Sequence, residues 1–160
     1  GCARGSYQEG GCEGANLRVL GGTDWDELVV HTIENEWMGL EALSGIPGTV
    51  GAAPVQNIGA YGQEVASSVA RVRVWDRQKN RSHEFALSDL KFGYRTSILK
   101  ESLNEGWGPS PRYIVLYVDF QLRIASLSAP VQYAQLAKTL GVEPGKRVPA
   151  QECVPEGKQP

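Results

Sequence analysis

The sequence predicts an α+β fold, an antiparallel sheet with flanking helices, and three observations carry that expectation. Residues 112–124 (RYIVLYVDFQLRI) alternate apolar and polar positions along one long strand. A single well-formed amphipathic helix precedes it, at TDWDELVVHTIENEW. The overall order is strand, helix, loop, strands, helix, which does not repeat the βα unit of a parallel sheet.

Residues 1–16 are rich in glycine and show no hydrophobic period, so they read as a loop or a frayed terminus. Leu17–Leu20 is a short strand. In the helix that follows, Trp25, Leu28, Val29, Thr32 and Ile33 fall at i, i+3, i+4, i+7 and i+8 and define its buried face. Thr23 and Asp26 stand at capping-box spacing, Glu27 adds first-turn negative charge, and Gly39 is a stop. A long loop, GIPGTVGAAPVQNIGAYG, runs from Gly45 to Gly62. Ala70, Val72 and Val74 then alternate with Arg71, Arg73 and Trp75 as a half-buried strand. Asp76–Asn80 is a turn, and His83–Leu87 supplies the partner strand of a hairpin. Ser88–Lys100 reads as a capped turn and a further strand, and Pro109 and Pro111 mark a loop. On the long strand, Ile114, Leu116, Val118, Phe120, Leu122 and Ile124 are expected to share one buried face. Tyr133, Leu136, Ala137 and Leu140 give a short last helix closed by Gly141. Residues 17–152 therefore read as one domain, and 153–160 as a divergent tail.

Composition narrows the function classes. Of 160 residues 41% are hydrophobic and 21% charged, which suits a globular domain and excludes a disordered or collagen-like chain. The formal charge is −2, so no basic excess exists to neutralise nucleic-acid phosphates. No apolar run approaches the roughly 20 residues of a membrane span. Cys2, Cys12 and Cys153 form neither a paired framework nor a CxxC site, which points to a reducing, cytoplasmic setting. No signal-peptide pattern opens the chain.

Two segments carry chemistry. The loop from Gly45 to Gly62 holds five glycines, two prolines and no charged residue over 18 positions. Turn-forming alone accounts for the glycines. The lack of charge sets this loop apart from ordinary solvent-facing ones and points to a ligand-facing backbone. It has no GK[ST] and follows no strand, so it is neither a P-loop nor a dinucleotide fingerprint. Gln56, Asn57 and Tyr61 are the polar groups it presents. The second segment is KFGYRTSILK, with Tyr94 beside Arg95 and with Lys91 and Lys100 nearby. An arginine fork matches a carboxylate or phosphate, while a surface strand with scattered positive charge is the plainer alternative. His31 and His83 lack metal-ligand spacing, and Ser44 lacks a nucleophile elbow.

Taken together, GLEALSGIPGTVGAAPVQNIGAYGQEV, KFGYRTSILK and APVQYAQLAKTLG resemble the UDP-N-acetylenolpyruvoylglucosamine reductase family, in order and from about Leu17 to Glu152. The resemblance implies the second FAD-contacting domain of a PCMH/VAO-type FAD-binding fold. It further implies an FAD-containing, NADPH-dependent enzyme acting on UDP-N-acetylglucosamine enolpyruvate in peptidoglycan synthesis, with no nucleic-acid or membrane partner. By the same resemblance, Gly45, Ile46, Pro47, Gly48, Thr49, Gly51, Ala52 and Asn57 lie along the flavin. Tyr61, Tyr94 and Tyr133 contact the substrate, and Arg95 is catalytic, holding the enolpyruvyl carboxylate. No metal is expected.

The departures bear on function. The family's flavin-phosphate loop would precede this stretch, and nothing in residues 1–16 matches it. Its S-A-G-S-F-F type motif, with the protonating serine, and its late glutamate would follow Glu152. Ala52 and Ala53 stand where some relatives carry serines. The expected partners therefore include N- and C-terminal domains of the same enzyme. A non-catalytic flavin- or nucleotide-binding remnant, or an inactive domain fragment, is the alternative.

Overall fold

The computed structural model describes residues 14–124 and the backbone of Tyr7–Gly10. Five strands form the path β1 (Tyr7–Gly10), β2 (Gly14–Leu20), β8 (Tyr113–Ile124), β6 (Val69–Asp76) and β7 (Arg81–Ala86), all antiparallel. A short β3 (Trp37–Met38) pairs with the C-terminal end of β8. A two-residue hairpin, β4 (Gly59–Ala60) with β5 (Gln63–Glu64), stands apart. The antiparallel α+β expectation is met. The glycine-rich start differs from the expected loop, because Tyr7–Gly10 pairs with Gly14–Leu17 as a hairpin. Glycines there hide the period-2 signal without preventing backbone pairing.

Helix α1 (Trp25–Glu34) buries the five residues its spacing selects: Trp25, Leu28, Val29, Thr32 and Ile33. Each large apolar side chain among them contributes about 1.5–3 kcal/mol when removed from water. They meet Leu17, Val19, Val72, Val118 and Phe120 of the sheet in one core, where the rings of Trp25 and Phe120 lie 6.2 Å apart. The N-cap is Asp24, not Thr23. Its carboxylate accepts from the Glu27 N–H at 3.0 Å. The helix stops at Glu34, before Gly39, with Asn35 as C-cap and Glu36 in a left-handed conformation.

The expected six-residue apolar face of β8 is interrupted. Val118, Phe120 and Leu122 are buried, but Ile114 and Leu116 are 49% and 40% exposed and Ile124 is 36% exposed at the strand's end. Arg73 pairs with Tyr117 while Val74 pairs with Val115, so Leu116 is an extra residue in the ladder. That bulge shifts the pleat by one, and Tyr113 and Val115 pack on the core instead. A second irregularity on β6 buries Val69 and leaves Ala70 half-buried. The strand expected within Ser88–Lys100 is also replaced. Lys91 and Arg95 take left-handed backbones that end extended pairing, and Ser97 caps a short helix, α2 (Ile98–Glu101). The helix expected around Tyr133 and the tail 153–160 lie outside the described residues.

Candidate functional site

The loop from Gly45 to Gly62 is fastened to the start of α1. The Trp25 N–H donates to the Gly48 carbonyl at 2.9 Å, and the Val50 N–H donates to the Thr23 carbonyl at 2.8 Å. Gly51 donates to the Gly21 carbonyl at 2.9 Å. A Cβ on Gly51 would lie 3.0 Å from that carbonyl oxygen, so any larger residue would have to push the two backbones apart by a few tenths of an ångström. Asp26, which sequence reading placed in a cap, instead reaches the loop. Its Oδ1 accepts from the Gly45 N–H at 2.7 Å and from Ser44 Oγ at 3.3 Å.

This fastening opens one cleft of about 250 Å³, lined by Trp25, Ile46, Pro47, Thr49, Ala52, Ala53, Gln56 and Ile58. Its wall is mostly apolar. Among the described residues, the N–H groups of Ile46, Gly48 and Thr49 donate to no protein acceptor. Gly48 has φ +122° and open space where a side chain would begin. An apolar wall with unspent backbone donors suits a flat heteroaromatic ring with a polar edge. Not every expected cofactor residue is free to serve it. The N–H groups of Gly45, Gly51 and Ala52 are taken by Asp26, Gly21 and Thr49. Asn57 is only 1% exposed. Its Nδ2 donates to Glu64 Oε2 and to the Gly93 carbonyl, and its Oδ1 accepts from the Ala66 N–H. Asn57 thus braces the site and has no amide hydrogen left to offer.

A second cleft of about 510 Å³ is lined by later residues of the same loop and by the 92–95 segment, with Asn57, Ala60, Tyr61, Glu64, Phe92, Tyr94 and Arg95 among its lining. Three candidate residues from two separate sequence segments line this cleft: Tyr61, Tyr94 and Arg95. Tyr94 is 84% exposed, and its ring centroid lies 4.8 Å from the Arg95 guanidinium carbon. Arg95 Nη2 donates to the Gly59 carbonyl at 3.0 Å, and Nη1 reaches the Asn57 carbonyl and Glu64 Oε2 at 3.4 and 3.5 Å. The Lys100 ammonium, near Arg95 in sequence, donates to the Arg95 carbonyl at 3.0 Å and so holds the backbone. Ser97 Oγ ties the segment to the loop by donating to the Val55 carbonyl at 2.7 Å.

Sequence reading missed Asp26 and Glu64 at the site. Asp26 was hidden because an acidic residue in a first helical turn already has an explanation. Glu64 is the first charged residue after the charge-free loop, which was its only signal. Tyr133 lies outside the described residues. Among the described residues no cluster of His, Cys, Asp or Glu could hold a metal ion, and no helix is long and apolar enough to cross a membrane.

Comparison with known proteins gives these clefts a context. A family described as "FAD binding domain" matches residues 9–80. The chain is 48% identical over 143 residues to the UDP-N-acetylenolpyruvoylglucosamine reductase of Cutibacterium acnes, covering 89% of this chain and 36% of that protein. It is 51% identical over 133 residues to the reductase of the same name from Salinispora arenicola, covering 83% and 34%. The crystal structure of UDP-N-acetylenolpyruvylglucosamine reductase from Thermus caldophilus superposes with a TM-score of 0.56 at 30% identity, covering 68% of this chain and 36% of that one. The chain spans about a third of the length of the curated relatives it matches.

Proposed function

Because the chain belongs to the UDP-N-acetylenolpyruvoylglucosamine reductase family over the part of those proteins that it spans, we propose that it forms the flavin-facing and carboxylate-binding wall of such a reductase. The reaction is reduction of UDP-N-acetylglucosamine enolpyruvate to UDP-N-acetylmuramate in peptidoglycan synthesis, with FAD as cofactor and NADPH as reductant. The observation that carries this reading is the convergence of Tyr61, Tyr94 and Arg95 on one cleft, while the same loop lines the other, apolar cleft with unspent backbone donors.

The first cleft fits an isoalloxazine ring. Ile46, Pro47, Ala52 and Ile58 offer its faces apolar contact, and the N–H groups of Ile46, Gly48 and Thr49 offer its polar edge hydrogen bonds. Once bound and reduced by NADPH, the flavin would supply the hydride that a carbon–carbon double bond conjugated to a carboxylate accepts. The chain's own residues bind and polarise. Arg95 pairs with the carboxylate and favours the negative charge that builds on it, because a fixed cation is worth more where charge develops than where it already rests. Tyr61 and Tyr94, both at the rim, hold the sugar nucleotide, and Tyr133 is assigned to the same ligand by family resemblance. Asn57 is moved from the cofactor to the frame of the site.

The test compares two ligands of the 160-residue chain, UDP-N-acetylglucosamine enolpyruvate and UDP-N-acetylglucosamine, by calorimetry. The first should bind about tenfold or more tightly, as one charge-assisted pair implies. Arg95→Ala should abolish the preference and Arg95→Lys should blunt it. Equal binding of the two ligands would overturn the assignment of Arg95. The chain should also perturb the absorption spectrum of added FAD, and an unchanged spectrum at saturating protein would sink the flavin reading.

A further inference from the structure

Arg95 has a long, flexible side chain that is 36% exposed, yet its guanidinium is held by three partners and its backbone by a fourth. Nη2 is held by the Gly59 carbonyl, and Nη1 by the Asn57 carbonyl and the Glu64 carboxylate. The Lys100 ammonium fixes its backbone carbonyl. Of these partners only Glu64 carries opposite charge. Glu64 is itself pinned, since Oε2 accepts from Asn57 Nδ2 at 3.0 Å, and the same amide nitrogen holds the Gly93 carbonyl at 2.9 Å, two residues before Arg95. One buried amide therefore sets both the counter-charge and the peptide that presents the arginine. Gly59 completes the slot. A Cβ there would lie 2.6 Å from Nη1 and 3.0 Å from Nη2, so any side chain would displace the guanidinium. Nη1 and one Nη2 hydrogen face the protein, while among the described residues Nε donates to no acceptor.

We propose that Glu64 is a positioning residue for Arg95, held by Asn57 and given clearance by Gly59, so that the guanidinium is pre-oriented with its Nε–H open to a carboxylate. This rests on the reading of Arg95 as the carboxylate-binding group. An ordinary exposed ion pair adds little to folding. Its use here is orientation, since a fork already aimed loses less freedom on meeting its ligand.

The test follows the Arg95 side-chain Nε–H resonance of the 160-residue chain by NMR while acetate is added as the probe. The wild-type resonance should be distinct from those of solvent-exposed arginines and should shift saturably. Glu64→Gln keeps an acceptor for both Asn57 and Arg95, so the resonance should persist and acetate affinity should stay within about threefold. Glu64→Ala removes the acceptor, so the resonance should move to the exposed position and affinity should fall about tenfold. Gly59→Ala should do the same with Glu64 intact, and both Glu64 variants should melt within a few degrees of wild type. An unchanged resonance and affinity in Glu64→Ala, or equal losses in the Gln and Ala variants, would overturn the proposal. If the wild-type Arg95 Nε–H resonance does not shift as acetate is added, the carboxylate reading of Arg95 fails, and the proposal with it. That outcome is visible before any Glu64 variant is compared.

Discussion

Replacing Asp76 by asparagine should destabilise the chain at neutral pH and flatten part of its acid sensitivity. Asp76 closes β6 and is 3% exposed. Both of its oxygens are held at 2.9 Å by Nε and Nη2 of Arg112, and Oδ1 also accepts from the Gln78 and Lys79 N–H groups. These donors, the Arg112 pair first, hold its carboxyl at about 2 against an ordinary 3.8. A folded pKa below the unfolded one means the pair stabilises the fold fully above about pH 5, and that stability drains away as pH falls through 3.8 towards 2. The difference corresponds to roughly 2 kcal/mol, of which about 1 kcal/mol is gone by pH 3. The amide of the Asp76→Asn variant would turn an N–H toward the guanidinium and leave a largely buried cation without its partner, which costs about 3 kcal/mol or more at pH 7. Urea unfolding followed by tryptophan fluorescence at pH 7, 5, 4 and 3 reads both effects. The wild-type loss between pH 7 and pH 3 should exceed that of Asp76→Asn by about 1 kcal/mol. Parallel pH profiles, or a variant within about 0.5 kcal/mol of wild type at pH 7, would refute the reasoning.

Gly21→Ala should be among the most damaging single substitutions. A methyl there would collide with the Val115 carbonyl oxygen of β8, while the Gly21 carbonyl must still accept from Gly51. Thermal melting should show a loss of about 3 kcal/mol or more, and a wild-type Tm would show that the strand and the loop do not approach as described. Asp26→Ala should release Gly45 and Ser44 from α1, lowering stability by about 1–3 kcal/mol and speeding hydrogen exchange at the Gly45 amide. Glu27→Ala, on the exposed side of the same turn, should stay within about 0.5 kcal/mol of wild type, and similar losses in both would reduce Asp26 to a helix-terminus charge.

The elements that could be read from the sequence are those in which one local period settles burial. The spacing of Trp25, Leu28, Val29, Thr32 and Ile33 leaves only one helix face to bury, and that face is buried. The alternation in β6 and the C-terminal half of β8 works in the same way, with Val72, Val74, Val118, Phe120 and Leu122 all inside. The N-terminal half of β8 is different. Ile114, Val115, Leu116 and Tyr117 are apolar or aromatic at every position, so the pattern cannot say which parity faces the core, and the bulge at Leu116 decides it. Ser88–Lys100 was misread because backbone conformation there is set by left-handed residues, Lys91 and Arg95, whose types do not advertise positive φ. At the site, Tyr61, Tyr94 and Arg95, which line one cleft, were singled out as candidates by family resemblance. Glu64 was not, because its part depends on Asn57 turning inward, which no local pattern encodes.

A demand on the backbone bears on the lack of charge in the loop from Gly45 to Gly62. It must run beside Gly21 and Trp25 and also hold the Arg95 guanidinium, so many of its peptide groups are committed to a neighbour, while the N–H groups of Ile46, Gly48 and Thr49 stay unspent. At its buried positions a charged side chain would be desolvated against the core residues Val50 and Ala53, and beside Arg95 it would compete for the Asn57 and Gly59 carbonyls. The glycines follow from close approach at Gly51 and Gly59, and the charge is confined to the loop's edges, at Asp26 and Glu64. Those two carboxylates do unlike work. Asp26 spends its negative charge on neutral donors and so fixes the wall of the apolar cleft. Glu64 spends its own on a cation and so holds the Arg95 guanidinium in the second cleft. Exchanging the surroundings of the two carboxylates would leave composition unchanged and the site without an aimed cation.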